Sequence, residues 1–304
     1  MSSALTAFRP LRFLAQFVRP NAKQGMNPRS LAFVKIALAR KHNSVLFATF
    51  PKSGWNWSAE ILDYCVTKHF TGAYRVDYGG DGTLKQRQIT PPSVFSPADA
   101  RSSGRKKVRE MFPAVDLDYC LHTHGAWRES PLLDLDAAKT VLIVRNIPTT
   151  LYSYYRSRGG KYATFEACLD DGALERVIDF YNSWGDFCAR PGARCRIFRY
   201  EELRATPLPQ FRAMFEHVFG LDAGEALVGE ALDYYSFQKQ KEREWRFAKD
   251  EKQHFHFRGG VDYAELIGER TMARLRADLA AKLRHKFGYD YADANLSPSL
   301  AVNG

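Results

Sequence analysis

From residue 44 onward the chain alternates short apolar runs with longer stretches of helical periodicity. Four runs are typical of buried strands, because each is short, apolar and bounded by turn residues or helical stretches: 44–50, 118–123, 140–144 and 195–200. Apolar residues recur at helical spacing in 57–69, 147–157, 172–188, 208–219 and 270–286. Strands that alternate with helices favour a parallel sheet covered on both faces. We therefore predict an α/β fold, a three-layer α/β/α domain with a central parallel sheet.

Residues 71–113 interrupt this alternation. They contain several glycines, two adjacent prolines and the basic run RKKVR at 105–109. We predict a long irregular insert, of the kind that carries binding rather than core packing.

The positive charge of the chain is concentrated at one end. The net charge is +10, and residues 1–59 hold nine basic groups and no acid, which leaves +1 on the other 245 residues. A nucleic-acid-binding body needs a basic stripe across the fold, so we expect no nucleic-acid partner. Five cysteines without a CxxC pair argue against a disulfide framework or zinc ribbon and favour a reducing, cytoplasmic location. No apolar run approaches the length of a transmembrane helix.

Residues 1–40 read as a separate basic segment. Pro10 and Pro20 bracket a stretch with apolar residues on one helical face and Arg12, Gln16 and Arg19 on the other. Three interpretations stay open: an interfacial helix on an anionic membrane, a transit peptide, or a helix that packs on its own domain. The first makes residues 1–40 a candidate peripheral membrane contact.

A strand–turn–helix over residues 45–69 carries the clearest local signal. Its turn, FPKSGWNW from Phe50 to Trp57, puts a lysine, a serine and a glycine before a helix N-terminus. Backbone N–H groups at such a helix start point into the turn, and the helix dipole favours an anion there. Gly54 allows close backbone approach, and Lys52 adds a mobile charge. This pattern predicts a phosphate-binding loop of the P-loop NTPase-like kind, although GxxxxGK[ST] is absent. An ordinary turn with an exposed lysine is the alternative.

A second candidate anion site follows the strand at 140–144. Arg145 stands at the end of that strand, and Ser153 lies two turns into the next helix. The two side chains can converge on one phosphate, to which the arginine guanidinium would donate two parallel hydrogen bonds. The alternatives are a surface salt bridge for Arg145 and a helix-packing hydroxyl for Ser153.

Together these residues resemble the sulfotransferases that use 3′-phosphoadenosine 5′-phosphosulfate (PAPS). The family's phosphosulfate loop PKSGTTW appears as PKSGWNW, and its 3′-phosphate motif RNPxDxxxSxY appears as RNIPTTLYSYY. Three further motifs follow in family order. YEEL, which begins at Tyr200, is like the family's YEDL, and SF, which begins at Ser236, is like its adenine-side TSF. RGG, which begins at Arg258, is like its C-terminal RKG. Five motifs in the right order, spanning roughly residues 44–290, are far more specific than any one of them.

The resemblance implies in-line transfer of a sulfuryl group from PAPS to a hydroxyl acceptor, a small molecule, lipid or glycan, without a metal. It makes 41–290 the sulfotransferase domain, 291–304 a tail, and 238–258 a lid over bound nucleotide. His124, in the strand segment HTH, matches the general base of the family's KTH, and Lys52 would neutralise charge on the leaving phosphate oxygen. The implied nucleotide-binding residues are Lys52, Ser53, Gly54, Trp55, Asn56, Trp57, Arg145, Ser153, Tyr200, Ser236, Phe237, Arg258, Gly259 and Gly260.

Several positions depart from the family pattern, and in the 3′-phosphate motif the proline is shifted by one, to Pro148. Trp55 and Asn56 replace two threonines. The Asn56 amide can donate a hydrogen bond in place of a hydroxyl, whereas Trp55 cannot reproduce a hydroxyl. His122 replaces the lysine of KTH, and we expect a lysine there to be tolerated. Gly259 stands where the family has a lysine.

Other function classes stay open beside this one. A nucleotide-binding, membrane-recruited module without catalysis is one alternative. A P-loop kinase is another, although no Walker A motif or Mg²⁺-binding acid at a strand end is visible. The HxH pairs at 122–124 and 254–256 could begin zinc sites, but no aspartate follows either pair in the HxHxD pattern, so we expect no metal.

Overall fold

A parallel sheet forms the centre of the computed structural model, which describes residues 43–77, 88–90, 95, 107–127, 139–236, 238–239, 242 and 266–291. The strands of the described residues, in chain order, are β1 (Val45–Thr49), β2 (Arg75–Asp77), β3 (Gln88–Thr90), β4 (Cys120–Thr123), β5 (Lys139–Val144) and β6 (Cys195–Arg199). In the described residues four of these form the main sheet, in the order β4-β1-β5-β6, and every pairing is parallel.

Helices cover both faces of this sheet. They are α1 (Trp55–Thr71), α2 (Val108–Met111), α3 (Ile147–Arg156), α4 (Phe165–Cys168), α5 (Leu174–Cys188), α6 (Tyr200–Ala205), α7 (Pro207–Phe219), α8 (Glu225–Tyr234) and α9 (Glu269–Lys282). A π-helical turn, Leu169–Ala173, joins α4 to α5. No helix in these described ranges is long and apolar enough to cross a membrane.

Successive residues of each central strand feed two different cores. Leu46 and Ala48 of β1 pack with α3, α5 and α9, whereas Val45 and Phe47 pack with α1, α7 and α8. Side chains alternate between the faces of a strand, so a strand covered on both sides is apolar throughout. The predicted three-layer α/β/α fold is therefore confirmed.

The region predicted as an irregular insert contains regular structure. Strands β2 and β3 form an antiparallel pair in which Arg75 is opposite Thr90, and the short helix α2 follows before β4. Three-residue strands are too short to show the two-residue alternation that predicts a strand, so the expectation was wrong here. The predicted segment 1–40 and almost all of the predicted lid at 238–258 lie outside the described residues.

A disulfide bond joins Cys188, the last residue of α5, to Cys195, the first of β6, with the Cα atoms 5.3 Å apart. The sequence did not predict this bridge, because an odd number of irregularly spaced cysteines identifies no pair. The bridge closes the short connection from α5 to β6, the last strand in the described order of the main sheet. Cys65, Cys120 and Cys168 are buried thiols.

Candidate active site

The carboxyl ends of the parallel strands meet at one edge of the sheet. Thr49 ends β1, and His124, Arg145 and Tyr200 each directly follow β4, β5 and β6. Ligands of open α/β sheets bind at this edge, where the strands hand over to loops and helices. The residues singled out in the sequence thus lie in the segments that border one another there.

The loop between β1 and α1 has the backbone of an anion site. Lys52 (φ 74°) and Gly54 (φ 101°) both adopt the left-handed conformation, an arrangement that turns backbone N–H groups toward a common side. A Cβ at position 54 would lie 2.5 Å from the Tyr200 ring, so only glycine fits. Gly54 is also the N-cap of α1, whose first turn has no acid and no side-chain cap. These N–H groups and the helix dipole therefore suit a phosphate or sulfate.

Ser53, in the same loop, is fully buried, and its Oγ has no hydrogen-bond partner among the residues that the structure describes. Buried hydroxyls are nearly always hydrogen-bonded. An oxygen of a bound anion would satisfy this one, so the loop fits such a group. Asn56 is exposed on the first turn of α1.

Arg145 reaches from β5 to this loop. Its Nη1 donates to the Lys52 carbonyl oxygen over 2.8 Å, and its guanidinium lies 4.4 Å from the centre of the Tyr200 ring. Tyr200 in turn packs against Gly54. The two anion sites expected from the sequence are therefore joined through Arg145 and Tyr200. Ser153 lies on α3 and is 8% exposed.

The backbone at Arg145 and Asn146 is held by side chains that the sequence analysis missed. The Tyr181 hydroxyl accepts from the Arg145 N–H over 2.8 Å and donates to the Arg145 carbonyl. Glu201 accepts from the Asn146 N–H over 3.0 Å and from the hydroxyl of Tyr289. Burial raises the pKa values of both tyrosines, so both hydroxyls stay protonated and donate.

The two histidines of the HTH segment meet at Thr49. His122 Nε2 lies 2.8 Å from Thr49 Oγ1, and His124 Nδ1 lies 2.6 Å from the Thr49 carbonyl oxygen and 3.3 Å from Oγ1. A carbonyl oxygen only accepts, so Nδ1 of His124 carries the hydrogen, and the lone pair of the neutral ring is on Nε2. The two rings are perpendicular, 4.3 Å apart, and His124 is exposed.

Trp55, which the resemblance placed among the nucleotide-binding residues, covers the other histidine. Its indole stacks on His122 with centroids 4.0 Å apart and planes 3° from parallel. Phe47 and Phe95 pack against the same indole at 5.0 and 5.6 Å. An aromatic wall therefore stands between the start of α1 and the base candidate.

The adenine-side candidates are only partly described. Trp57 donates from Nε1 to the Tyr235 carbonyl over 3.3 Å and meets Tyr200 edge to face at 6.5 Å. Ser236 directly follows Tyr235, the C-cap residue of α8, whose N–H donates to the Ala231 carbonyl. Phe237, Arg258, Gly259 and Gly260 lie outside the described residues. Within the described part of the chain, no group of three or more His, Cys, Asp or Glu side chains could hold a metal ion.

Comparison with known proteins agrees with this fold. The sequence model of the sulfotransferase domain family matches residues 42–265 of this chain. Because that match covers well over half of the chain, the protein belongs to the sulfotransferase domain family. No curated protein sequence matches it.

Two solved structures share the fold at low sequence identity. Mouse sulfotransferase SULT7A1, complexed with PAP, is 15% identical; the match covers 83% of this chain and 90% of that one, with a TM-score of 0.53. Retinol dehydratase, in complex with androsterone and the inactive cofactor PAP, is 12% identical; the match covers 83% and 85%, with a TM-score of 0.52. At these identities the likeness shows the fold alone.

Proposed function

We propose that this protein transfers the sulfuryl group of PAPS to a hydroxyl-bearing small molecule, with His124 as general base. One observation carries the proposal: an exposed imidazole with its lone pair on Nε2 lies beside an anion-binding helix N-terminus. His124 is in ring contact with His122, which stacks on Trp55, the first residue of α1. Family membership supports sulfuryl transfer, and the PAP bound to the two similar structures supports the donor.

PAPS supplies an activated sulfuryl group whose leaving group is a phosphate. The fit of the β1–α1 loop to an anion supports a position for the 5′-phosphosulfate at the first-turn N–H groups of α1, the Ser53 hydroxyl and the Asn56 amide. Lys52 would neutralise the charge that develops on the leaving oxygen. No step requires a metal, because these donors meet the charge of the transferred group.

The remaining candidates hold the other end of the nucleotide. Arg145 and Ser153 would bind the 3′-phosphate, with Arg145 kept in place by the Lys52 carbonyl and the Tyr200 ring. Trp57 and Tyr200 would pack beside the adenine. Ser236, Phe237 and the segment 258–260 complete this proposed site.

His124 moves the proton of the acceptor. Its Nε2 takes the hydroxyl hydrogen while the acceptor oxygen bonds to sulfur and the bond from sulfur to the phosphate oxygen breaks. The imidazolium that forms keeps its Nδ1–H on the Thr49 carbonyl, which stabilises the positive charge. The acceptor leaves as its sulfate ester.

Two measurements test the proposal in sequence. Calorimetry with PAP tests nucleotide binding, and the absence of binding would overturn the proposal. Release of PAP from PAPS is then followed with a panel of phenols, sterols and aliphatic alcohols; androsterone bound to one similar structure favours small alcohols in this panel. If the protein binds PAP but sulfates no panel member and no component of a cell extract, it is a nucleotide-binding module without catalysis.

A further inference from the structure

Two departures from the family pattern form a single contact. Trp55 stands where the phosphosulfate loop has a threonine, and His122 stands where the KTH motif has a lysine. Far apart in sequence, their rings stack at 4.0 Å and 3°. A threonine at 55 could not cover the imidazole, and a lysine at 122 could not stack flat on the indole. The two residues are therefore parts of one arrangement.

The sheet register explains why the two rings meet. His122 of β4 is the parallel partner of Phe47 of β1, so its side chain lies on the same face as those of Phe47 and Thr49. Trp55 lies over that face after the tight turn between β1 and α1, and it packs on Phe47 at 5.0 Å. His122 thus has the indole stacked on the face of its ring, and its Nε2, at the ring edge, contacts the fully buried Thr49.

Among the described residues, one set of hydrogen-bond directions gives every hydrogen at Thr49 an acceptor. His124 Nδ1–H donates to the Thr49 carbonyl, and it also approaches Oγ1 at 3.3 Å, where the hydroxyl oxygen accepts. The hydroxyl hydrogen then points to the remaining neighbour, His122 Nε2, at 2.8 Å. In this pattern His122 is a neutral acceptor. It draws the hydroxyl hydrogen away from His124 and makes Oγ1 a better acceptor, since linked hydrogen bonds polarise one another.

We propose that His122 is a positioning residue for His124. Stacked on Trp55, it accepts the Thr49 hydroxyl hydrogen and so keeps that hydrogen away from His124 Nδ1. This supports the tautomer that the Thr49 carbonyl favours, with hydrogen on Nδ1 and the basic lone pair on Nε2. The catalytic meaning of this assignment rests on the proposed function, whereas the tautomer is a property of the protein itself.

His122 does not relay the proton further. Passing it from His124 through Thr49 to His122 would remove the hydrogen between Nδ1 and the Thr49 carbonyl. Two lone pairs would then face each other over 2.6 Å. The hydrogen therefore stays on Nδ1 while Nε2 takes the acceptor's proton.

The proposal changes the expectation for a lysine at position 122. Lysine donates but does not accept, so it would reverse the Thr49 hydroxyl and leave Trp55 without its stacking partner. His122→Lys alone should therefore lower turnover. The double change Trp55→Thr with His122→Lys, which restores the family pattern at both positions, should recover part of the loss.

Two further variants separate the ring from the hydrogen bond. His122→Phe keeps an aromatic ring against Trp55 and removes the acceptor, whereas His122→Gln keeps an acceptor and removes the ring. With PAP bound to the full chain, nitrogen-15 NMR of the histidines reports the His124 tautomer, with the signal assigned by its loss in His124→Gln. We expect hydrogen on Nδ1 in the wild type. In His122→Phe we expect a smaller share of that tautomer, because the freed Thr49 hydroxyl can turn its hydrogen toward Nδ1 in competition with the Thr49 carbonyl contact.

Turnover provides a second measurement. We expect His122→Phe to lower kcat about tenfold, the effect of one lost hydrogen bond, with the KM for PAPS unchanged. His122→Gln should lose less. His69→Gln, at an exposed position near the end of α1, is the matched control and should match the wild type in both measurements.

A wild-type tautomer together with a kcat within twofold of wild type in His122→Phe would overturn the proposal. If His122→Phe does not fold by circular dichroism, Thr49→Val takes its place, because it removes the hydroxyl through which His122 acts. A wild-type tautomer and a kcat within twofold of wild type in Thr49→Val would then overturn the proposal. If the wild type transfers no sulfuryl group, the proposed function fails and the NMR measurement alone decides the role of His122.

Discussion

The two halves of the site are built differently. The histidine side consists of Thr49, Trp55, His122 and His124, and the arginine side consists of Arg145, Tyr181, Tyr200, Glu201 and Tyr289. On the histidine side the ring of the proposed base is exposed, and its Nδ1 contacts the Thr49 carbonyl. On the arginine side, buried Tyr181 and Tyr289, with Glu201, fix the backbone behind Arg145.

This difference matches two tasks. A base has to meet the acceptor, exchange a proton with it and release the product, so it stays accessible. A guanidinium that positions a phosphate works best when its own geometry is fixed before binding, because less ordering then accompanies the association. Substitutions on the histidine side should therefore change turnover, and those on the arginine side should change nucleotide affinity.

The largest effect is expected from removing the base. His124→Ala should lower turnover at saturating PAPS by about 10²–10⁴-fold, since no group then takes the acceptor's proton. PAP affinity, measured by calorimetry, should stay within about twofold of wild type, because the side chain is assigned no nucleotide contact. A variant that keeps more than a tenth of wild-type turnover would place the base elsewhere.

On the arginine side, Arg145→Ala should weaken PAP binding by about 10- to 100-fold, the range for a lost charge-assisted hydrogen bond. AMP, which lacks the 3′-phosphate, should lose much less affinity. Calorimetry with both nucleotides makes the comparison, and Arg212→Ala, which removes a surface ion pair with Asp222 and Glu225, is the control. Equal losses for the two nucleotides would show instead that Arg145 acts through the Lys52 carbonyl on the loop.

The fold was predictable because strands that are buried on both faces consist of short apolar runs, which are visible in the sequence. The four main strands lie within two residues of the apolar runs, and α3 and α7 match their helical stretches almost residue for residue. The loop with Lys52 and Gly54 was visible too, since a phosphate-binding turn is a local pattern. Burial and local turns need no knowledge of distant parts of the chain.

The side-chain network was not predictable, because its members are distant in sequence. Tyr181 is 36 residues from Arg145, and Tyr289 is 88 residues from Glu201. No periodicity relates such positions. Trp55 and His122 show the same limit: each looked like an isolated departure from a motif, and only the register of β1 with β4 makes them neighbours.

A smaller effect is expected from loosening the arginine side without touching the guanidinium. Tyr181→Phe removes the hydroxyl that pairs with both backbone groups of Arg145, and it should lower the free energy of unfolding by about 2 kcal/mol. PAP affinity should fall with it, while turnover at saturating PAPS stays unchanged. Urea unfolding and calorimetry measure the two effects.

Tyr162→Phe is the control for this change. It removes a hydroxyl bonded to the exposed Asp171 and should cost less stability and no PAP affinity. If Tyr181→Phe loses stability but binds PAP like wild type, the Arg145 backbone does not need this support for binding.

The smallest effect, and the closest test of the division into two sides, comes from a matched pair of tryptophans. Trp57 Nε1 donates to the Tyr235 carbonyl beside Tyr200, and Trp184 Nε1 donates over 2.9 Å to the carbonyl of Gly125, the residue after His124. Replacing either one with phenylalanine removes one hydrogen bond of about 1 kcal/mol. Trp184 is fully buried, so its replacement also leaves a cavity and should cost more stability.

The functional effects of the two changes should differ in kind. Trp57→Phe should weaken PAP binding about threefold with kcat unchanged, because it loosens the edge-to-face contact that supports Tyr200, the ring against which Arg145 packs. Trp184→Phe should lower kcat about threefold with PAP affinity unchanged, because Gly125 follows the base directly. Calorimetry and turnover at saturating PAPS separate these outcomes. If both variants change affinity and turnover in the same proportion, the two sides act as one unit, and the contrast between an accessible base and a fixed arginine has no functional consequence.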